Sequence, residues 1–570
     1  MSSALAPRSG GRILVDALRT HGVETVFCVP GESYLEVLDA LHDVRDAIRL
    51  IVCRQDGGAS YMAEAYGKAT GKPGICFVTR GPGATNASIG VHTAFQDSTP
   101  MILFIGQVPG EFAEREAFQE IDYRRMYGQM TKWVASIDRA DRVAEYVSRA
   151  FHVAMSGRPG PVVLALPEDM LIEVAKVMDA APYKVVQASP AANDLAHMQQ
   201  LLTAAERPLA IIGGTVWTRE SCADFQAFAR AAGLPVAAAF RYQDLFDNND
   251  EHYAGDIGIG VNPKLAQRVR DADVLLVVGA RLDEMTTQAY TLLDSPVPKQ
   301  KLIHVFPGAE ELGRVYQGEL LINAGAAQFA GAVKSLKVDG TRWSAWRESA
   351  RADYEAWQIP KGPNPGRVQM AEVVSTLRAT LPKDTIICTG AGNFSGWFQR
   401  FWRFPFIRTQ IAPTNGSMGY GVPAGCAAQL AYPDRTVVSA NGDGDYMMNG
   451  QELATAVQYR LPILFIVVNN GMYGTIRMHQ EREYPARVHG TALRNPDFAA
   501  LARAYGAHGE TVEETAQFAP ALERALAATR ATHGPALIEV RIDPQAITTA
   551  TTIDAIRKAA QDRIAAASRK

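Results

Sequence analysis

The sequence has no hydrophobic run long enough to cross a membrane. Its longest apolar runs, such as residues 463–468, are far shorter than the roughly 20 residues that a membrane-spanning helix needs. The N-terminal stretch "MSSALAPRSGG" also lacks the apolar core of a secretory signal peptide. These two absences predict a cytoplasmic protein with no membrane partner.

Cysteine is scarce, and the charges nearly balance. The six cysteines are scattered through apolar stretches without a CxxC pair, which argues against a disulfide framework or a zinc site. The formal net charge of −3 gives no electrostatic reason to expect a nucleic acid as partner. A hydrophobic content of 47% is ordinary for a globular protein, and the chain is long enough for about three or four domains.

Short apolar runs alternate with helical patterns along the whole chain, which indicates parallel sheets built from βαβ units. In the first third, the strand candidates are residues 26–29, 51–53, 75–78, 101–105 and 162–165. The predicted fold class is α/β, with three doubly wound parallel-sheet domains. Their predicted bounds are 1–182 for the N-terminal domain, 190–345 for the central domain, 346–367 for a linker, 368–550 for the C-terminal domain and 551–570 for a terminal helix or tail.

The strongest chemical signal lies between residues 439 and 474. One strand candidate ends at Gly442, Asp443 and Gly444, and the next ends at Asn470, 27 positions after Asp443 (470 − 443). Aspartate and asparagine offer the oxygen ligands that Mg²⁺ prefers, and the glycines let backbone N–H groups approach an anion near a helix start. A cation beside an anion cradle predicts a diphosphate ligand. The alternative is a pair of tight turns with no ligand.

A second candidate is the stretch "LIVCRQDGGASYMAEAYG", residues 50–67. An apolar run predicts a buried strand that stops at Arg54, and after Gly57 and Gly58 a helical pattern follows from Ala59. Asp56 therefore lies at a strand-to-helix junction, which is where open α/β sheets hold their ligands. The alternative is an ordinary polar residue in a surface loop.

With these motifs the sequence resembles the thiamine-diphosphate (ThDP) enzymes, in the branch that contains acetolactate synthase, pyruvate oxidase, oxalyl-CoA decarboxylase and 2-hydroxyacyl-CoA lyase. Further matching segments are "NGSMGYGVPAG", "GAGN", "TRGPGATN", "AFQDSTP", "GQV" and "AFQE". The resemblance implies pyrimidine-binding, central and diphosphate-binding domains, with ThDP and Mg²⁺ as cofactors. It also implies a homo-oligomer, either a dimer or a dimer of dimers, with the cofactor at a subunit interface.

The resemblance assigns roles to individual residues. It implies that Asp443 and Asn470 bind the metal through their side chains and Met472 through its backbone carbonyl. Further cofactor contacts are implied for Gly390, Gly392, Asn393, Gly416, Met418, Gly442, Gly444, Asp445 and Gly474. Asp56 falls where the family has the carboxylate that activates the cofactor's pyrimidine ring, although the family almost always has glutamate there.

Four more residues are implied at the reaction centre: Gly31, Phe118, Gln119 and His479. A plain turn glycine is the alternative for Gly31, and a core phenylalanine beside a surface glutamine is the alternative for Phe118 and Gln119. His479 stands where acetolactate synthases have a tryptophan, which weakens the case for pyruvate or 2-oxobutanoate as acceptor. Its alternative is a structural histidine.

The implied function is a ThDP- and Mg²⁺-dependent lyase or transferase that decarboxylates a small 2-oxo acid, with or without ligation to an acceptor carbonyl. Cleavage of a C–C bond in a 2-hydroxyacyl-CoA, oxalyl-CoA or dione is a second alternative. A third is a ThDP-binding protein whose shorter Asp56 impairs activation. In the central domain, "GARLDEMTT" resembles flavin-binding relatives, but "HVFPGAEELG" lacks their acidic strand end, which argues against FAD. FAD, ADP and no ligand all stay open for this domain.

Overall fold

The structure is a computed structural model that describes residues 6–567 of the chain. It divides into two compact units, Met1–Ala188 and Ser189–Lys570. Across the described residues there are three six-stranded sheets and one two-stranded sheet. The prediction of an α/β fold with three parallel-sheet domains is confirmed.

The first unit contains a six-stranded sheet of order β3-β2-β4-β5-β7-β6, in which all neighbours are parallel. The strands of this unit are β1 (Arg8–Ser9), β2 (Thr25–Cys28), β3 (Arg49–Val52), β4 (Gly74–Val78), β5 (Met101–Gln107), β6 (Trp133–Ser136), β7 (Pro161–Pro167) and β8 (Val174–Ala175). Its helices are α1 (Gly10–Thr20), α2 (Leu35–Asp43), α3 (Asp56–Thr70), α4 (Gly81–Asp97), α5 (Tyr123–Tyr127), α6 (Val143–Met155) and α7 (Glu168–Ile172). Strands β1 and β8 form a separate antiparallel pair.

Two features of the first sheet differ from the sequence prediction. Strand β6 is absent from the predicted set because it is a short edge strand with one buried residue, Ala135. Strand β3 was predicted to be buried, but it is also an edge strand, and Ile51 is its only buried residue. Edge strands have weak hydrophobic signatures because one side faces solvent, so their patterns are easily misjudged.

The second unit begins with a parallel sheet of order β11-β10-β9-β12-β13-β14. Its strands are β9 (Pro208–Ile212), β10 (Val236–Ala238), β11 (Tyr253–Asp256), β12 (Val274–Val278), β13 (Lys301–Phe306) and β14 (Leu320–Asn323). The accompanying helices are α8 (Ala192–Ala204), α9 (Arg219–Ala231), α10 (Pro263–Asp271), α11 (Ala326–Val333) and α12 (Ser344–Trp357).

Helix α12 covers the first part of the range 346–367 that is predicted as a linker. The helix is fixed by packing: Tyr354 meets Tyr253 of β11 edge to face, with ring centroids 5.0 Å apart. Arg351 also donates to the backbone carbonyls of Asn248 and Asp250, at 2.9 and 2.7 Å. Residues 358–367 after the helix have no regular secondary structure.

The last part of the chain forms a third parallel sheet, of order β16-β15-β17-β18-β20-β19. Its strands are β15 (Ile386–Thr389), β16 (Gln410–Ile411), β17 (Val437–Gly442), β18 (Leu464–Asn469), β19 (His508–Val512) and β20 (Ala536–Arg541). Its helices are α13 (Met370–Thr380), α14 (Ser395–Phe401), α15 (Gly421–Ala431), α16 (Asp443–Asn449), α17 (Leu453–Gln458), α18 (Gly474–Glu483), α19 (Phe498–Ala504), α20 (Thr515–Thr532) and α21 (Ile553–Ala567).

The terminal helix α21 lies within the predicted tail 551–570, whose last three residues are outside the described part. It is attached to α18 by a buried carboxylate. Arg557 donates to Glu481 through Nε at 2.8 Å and Nη2 at 2.7 Å, and Arg477 adds a bond at 3.0 Å. Hydrogen bonding to Arg557 lowers the pKa of the Glu481 carboxyl to about 2.

Candidate active site

Asp56 is the first residue of α3, and the helix begins directly after the turn that follows β3. Gln55 caps this helix, since its Oε1 accepts a hydrogen bond from the Gly58 N–H at 2.9 Å. The carboxylate of Asp56 is buried, with 8% of the residue exposed. Asp56 is therefore a buried helix residue and not part of a surface loop.

The two oxygens of the Asp56 carboxylate have different surroundings. Oδ2 accepts a long hydrogen bond from Asn86 Nδ2 on α4, at 3.3 Å. Oδ1 is buried and has no hydrogen-bond partner among the described residues. Burial raises the pKa of the Asp56 carboxyl above its ordinary value. Leaving a buried acceptor unpaired costs about 1–3 kcal/mol, so this oxygen is suited to receive a donor from a bound molecule.

Near the start of α4, Thr79 connects Asp56 with one other predicted site residue, Gly31. A β-carbon added at Gly83 would lie 3.1 Å from Asp56 Oδ1 and 3.0 Å from Thr79 Cγ2. A β-carbon at Gly31 would clash with Thr79, at 2.5 Å from its Cβ. Gly31 has a φ of −146°, so close approach to Thr79, and not a turn, requires glycine there.

Phe118 and Gln119 lie in the loop that precedes α5. The Gly81 N–H donates to the Gln119 carbonyl at 3.0 Å, so this loop also contacts the start of α4. Gln119 has a φ of +64°, and its Oε1 is buried without a hydrogen-bond partner among the described residues. Phe118 is 74% exposed. Phe118 is therefore not a core residue, whereas Gln119 is half-buried.

In the second unit, Asp443 and Asn470 lie at the carboxyl ends of neighbouring strands. Gly442 of β17 pairs with Val468 of β18 in parallel register, and α16 begins directly at Asp443. Asp443 is 3% exposed, and its Oδ2 accepts a hydrogen bond from the Gly471 N–H at 2.9 Å. Burial raises the pKa of its carboxyl. The ends of the two strands therefore lie side by side.

The loop after β18 has a defined shape. Asn470 Oδ1 accepts a hydrogen bond from the Met472 N–H at 3.2 Å, and Met472 forms an antiparallel bridge with Ala492. Gly474, the first residue of α18, is packed so closely that a β-carbon there would lie 2.9 Å from Asn470 Nδ2. An aspartate, an asparagine and a backbone carbonyl from this loop are the oxygen donors available to a cation.

Asp445 connects two of the predicted cofactor loops. Its Oδ1 accepts hydrogen bonds from the Gly419 N–H at 2.8 Å and the Ala391 N–H at 3.2 Å. A β-carbon at Gly390 would overlap this carboxylate, so glycine is required at that position. Burial raises the pKa of Asp445 to about 7. Asp445 thus holds the loops of Gly419 and Ala391, both predicted to contact the cofactor, in a fixed position.

The remaining predicted cofactor residues lie in the same group of loops. Gly416 has a φ of +73°, and the space beside its α-carbon is open. Met418 directly precedes Gly419, which Asp445 holds. Asn393 is bonded to Thr475 of α18, whose Oγ1 donates to Asn393 Oδ1 at 3.0 Å. Close packing continues at three more predicted positions, where a β-carbon would meet the ring of Phe394 or Tyr473: Gly392, Gly442 and Gly444.

Three family descriptions match this chain in the order of its sheets. Residues 8–126 match the thiamine pyrophosphate enzyme N-terminal TPP binding domain, 195–333 the central domain and 390–540 the C-terminal TPP binding domain. Thiamine pyrophosphate (TPP) is another name for ThDP. The chain belongs to the thiamine pyrophosphate enzyme family.

Individual relatives of this TPP enzyme are similar over nearly their whole length. The acetolactate synthase large subunit of Parasynechococcus marenigrum is 33% identical over 549 residues, covering 94% of this chain and 87% of the relative. The acetolactate synthase isozyme 2 large subunit of Escherichia coli is 30% identical over 541 residues, covering 94% and 96%. The mitochondrial catalytic subunit of acetolactate synthase from Saccharomyces cerevisiae is 29% identical, covering 95% and 82%. The prediction of a ThDP-dependent, acetolactate-synthase-like enzyme is confirmed.

The side chains of this TPP enzyme fit the cofactor that its family binds. The unpaired Oδ1 of Asp56 can share a proton with a ring nitrogen, and the oxygen ligands around Asp443 are those that a hard cation takes. Within residues 6–567 no three His, Cys, Asp or Glu side chains cluster as a metal site, so side-chain amide and backbone oxygens would have to complete the coordination. No helix in the same range is long and apolar enough to span a membrane.

The central domain of the TPP enzyme has no carboxylate at the end of β13. That strand ends at Phe306, which is 3% exposed, and Pro307 follows it. Arg281, in the segment that resembles flavin-binding relatives, forms an ion pair with the buried Glu311 at 3.2 Å. Neither feature tests flavin binding, and FAD in this domain stays an open prediction.

His479 lies on an exposed face of α18. Its neighbour Met478 contacts the Asn393 amide, with Sδ 3.5 Å from Nδ2. The structure therefore places His479 on the helix that follows the loop of Asn470 and Met472, and its role at the substrate site stays a prediction.

Sequence reasoning missed Asn495 and Arg241. Asn495 Nδ2 donates to Asp443 Oδ2 at 2.7 Å. Arg241 has a φ of +64° and donates to the carbonyls of Pro413 and Gly390, at 2.5 and 3.2 Å. Both reach the site from distant parts of the sequence, and no motif signals them.

Proposed function

We propose that this protein decarboxylates a small 2-oxo acid with ThDP and Mg²⁺ and ligates the remaining fragment to an acceptor carbonyl. The observation that carries the proposal is the buried Asp56 carboxylate, which has one oxygen without a partner among the described residues. The names of the relatives, which are acetolactate synthases, support the same type of reaction.

Bound ThDP supplies a carbon nucleophile and an electron sink for the loss of CO₂. In our proposal Asp443, Asn470 and the Met472 carbonyl hold Mg²⁺. The loops at Gly390–Asn393 and Gly416–Met418, ordered by Asp445, hold the cofactor.

Asp56 acts in this proposal as the acid that holds and exchanges a proton with the pyrimidine ring. A raised pKa suits that role, because a group transfers protons best when its pKa is near the working pH. Aspartate is one methylene shorter than the glutamate of most relatives, so its carboxylate reaches less far from the helix. Gly31, Phe118, Gln119 and His479 are proposed to border the substrate.

The proposal includes a homo-oligomer, either a dimer or a dimer of dimers, in which each cofactor site uses two subunits. Cyclic symmetry would then give at least a C₂ pair. Dilution of the active protein with measurement of mass by light scattering tests this, since a fully active monomer would contradict it. The cytoplasmic location stays a prediction.

The deciding experiment adds ThDP, Mg²⁺ and a panel of 2-oxo acids to the purified protein and measures CO₂ release. Parallel reactions contain a chelator, or no ThDP, or an added aldehyde or second 2-oxo acid as acceptor. CO₂ release that needs both cofactors, with an acceptor-dependent ligation product, supports the proposal. Turnover of oxalyl-CoA, a 2-hydroxyacyl-CoA or a dione in its place would favour the cleavage alternative. Absence of turnover with every substrate would favour the remaining alternative, a ThDP-binding protein in which Asp56 impairs activation of the cofactor.

A further inference from the structure

Asn495 lies in the loop between α18 and α19, and its side chain contacts the proposed metal ligand. Its Nδ2 donates to Asp443 Oδ2 at 2.7 Å and to Asn469 Oδ1 at 3.0 Å. A side-chain amide nitrogen has two protons, and each of these acceptors takes one. The orientation of the Asn495 amide is therefore fixed by its partners.

The second acceptor is also fixed. Asn469 Nδ2 donates to Glu539 Oε1 on β20 at 2.7 Å, so its Oδ1 must face Asn495. Glu539 is fully buried, and Thr511 donates to its other oxygen at 3.0 Å. A continuous chain of hydrogen bonds thus runs from a buried carboxylate of the sheet, through two asparagines, to Asp443.

The backbone around Asn495 is held to the metal-site loop. The Leu493 N–H donates to the Gly471 carbonyl at 2.8 Å, and the Tyr473 N–H donates to the Thr491 carbonyl at 2.9 Å. The Gly471 N–H in turn reaches Asp443 Oδ2 at 2.9 Å. The segment that carries Asn495 is therefore paired with the segment that carries Asn470 and Met472.

The other side of Asn495 is anchored to the helix that begins at Asp443. Asp497 caps α19 by accepting a bond from the Ala500 N–H at 2.8 Å. Phe498 of α19 is fully buried and meets Tyr446 of α16 edge to face, with centroids 5.5 Å apart. Both flanks of Asn495 are thus tied to elements that place Asp443.

We propose that Asn495, supported by Asn469, is a positioning residue that fixes the Asp443 carboxylate for the cation. The Asn495 and Gly471 bonds both fall on Oδ2, so in this proposal Oδ1 is the oxygen that would bind the cation. This inference rests on the proposed Mg²⁺ site. Partners that orient a metal ligand typically change metal affinity by about 10–100-fold when they are removed.

In the test, ThDP binding is monitored by tryptophan fluorescence of the full-length protein at a fixed ThDP concentration. The quantity measured is the Mg²⁺ concentration at which ThDP binding is half-maximal. Asn495→Ala should raise this concentration by about 10–100-fold. Asn495→Leu keeps the approximate size but removes both donors and adds no charge, so its Mg²⁺ affinity should fall about as far. Arg494→Ala, an exposed neighbour in the same loop, is the matched control and should behave as the parent.

Thermal unfolding of the metal-free variants separates positioning from folding. Positioning predicts a large shift in Mg²⁺ requirement with a melting temperature close to the parent's, most clearly in the uncharged, similarly sized Asn495→Leu. Parental Mg²⁺ requirement in both Asn495 variants would overturn the inference while leaving the metal site intact. ThDP binding by the parent that needs no divalent cation would instead overturn the proposed function.

Discussion

Replacing Asp56 with alanine should slow the activation of bound ThDP and at the same time stabilise the cofactor-free protein. The buried, unpaired Oδ1 costs about 1–3 kcal/mol, and its removal recovers that amount. The long bond from Asn86, at 3.3 Å, contributes about 1 kcal/mol in the opposite direction. The balance is a gain of about 1 kcal/mol, which is about 2–4 °C in melting temperature for a unit of this size.

The effect on activation should be much larger. A positioned acid or base contributes about 10²–10⁴-fold to a proton transfer, so Asp56→Ala should slow exchange of the ThDP C2 proton by at least about a hundredfold. The exchange is measured in D₂O by acid quench and NMR, with ThDP and Mg²⁺ at saturating concentrations. Melting temperatures are measured by calorimetry without cofactors.

Two variants make the result specific to the Asp56 carboxylate. Asp56→Glu keeps an acid and should retain exchange within about tenfold of the parent, unless the added methylene overpacks the site at a cost of about 1–3 kcal/mol, which calorimetry would show. Asn86→Ala removes only the neighbouring donor and should also keep rapid exchange. Parental exchange in Asp56→Ala would refute the assigned role, and a lower melting temperature in that variant would refute the reasoning about the unpaired oxygen.

Two further predictions concern residues behind the site. Asp445→Ala leaves the Ala391 and Gly419 N–H groups unpaired, at a cost of about 1–3 kcal/mol per buried group, and should weaken ThDP binding by at least about tenfold. Asp445→Asn keeps an acceptor and should bind ThDP nearly as the parent does. Equal ThDP affinities of the two variants, measured by calorimetry, would contradict this prediction. Glu481→Gln should weaken the attachment of α21 by about 1–3 kcal/mol. Trypsin should therefore cleave after Arg557 faster, and an unchanged cleavage rate, measured by mass spectrometry, would contradict this. Because the folded-state pKa of Glu481 is lowered to about 2, the parent helix should keep its attachment at neutral pH and lose it as pH falls from about 4.5 toward 2.

The parts of the site that sequence predicted are those that follow from strand ends. Asp443 and Asn470 each directly follow an apolar run, and the carboxyl ends of neighbouring parallel strands meet at one edge. Asp56 was found in the same way, at the start of the helix after β3. Local periodicity located these positions, and the resemblance to ThDP enzymes assigned roles to them.

The parts that sequence missed depend on contacts between distant segments. Asn495 lies 52 positions from Asp443, in a loop whose composition resembles any other polar loop. Arg241 reaches the Pro413 carbonyl 172 positions away. The exposure of Phe118 and the half-burial of Gln119 likewise depend on a loop that folds onto the start of α4. Hydrophobicity alone does not encode such contacts.

The central claim is that Asp443 holds a divalent cation and that this cation binds ThDP to the chain. Isothermal titration of ThDP into the purified protein, with Mg²⁺ and with a chelator, tests it most directly when the parent and Asp443→Ala are compared. The account predicts saturable binding by the parent only with Mg²⁺, and loss of that binding in Asp443→Ala while its circular dichroism spectrum stays that of a folded protein. ThDP affinity that is unchanged in Asp443→Ala, or unchanged by the chelator, would contradict it.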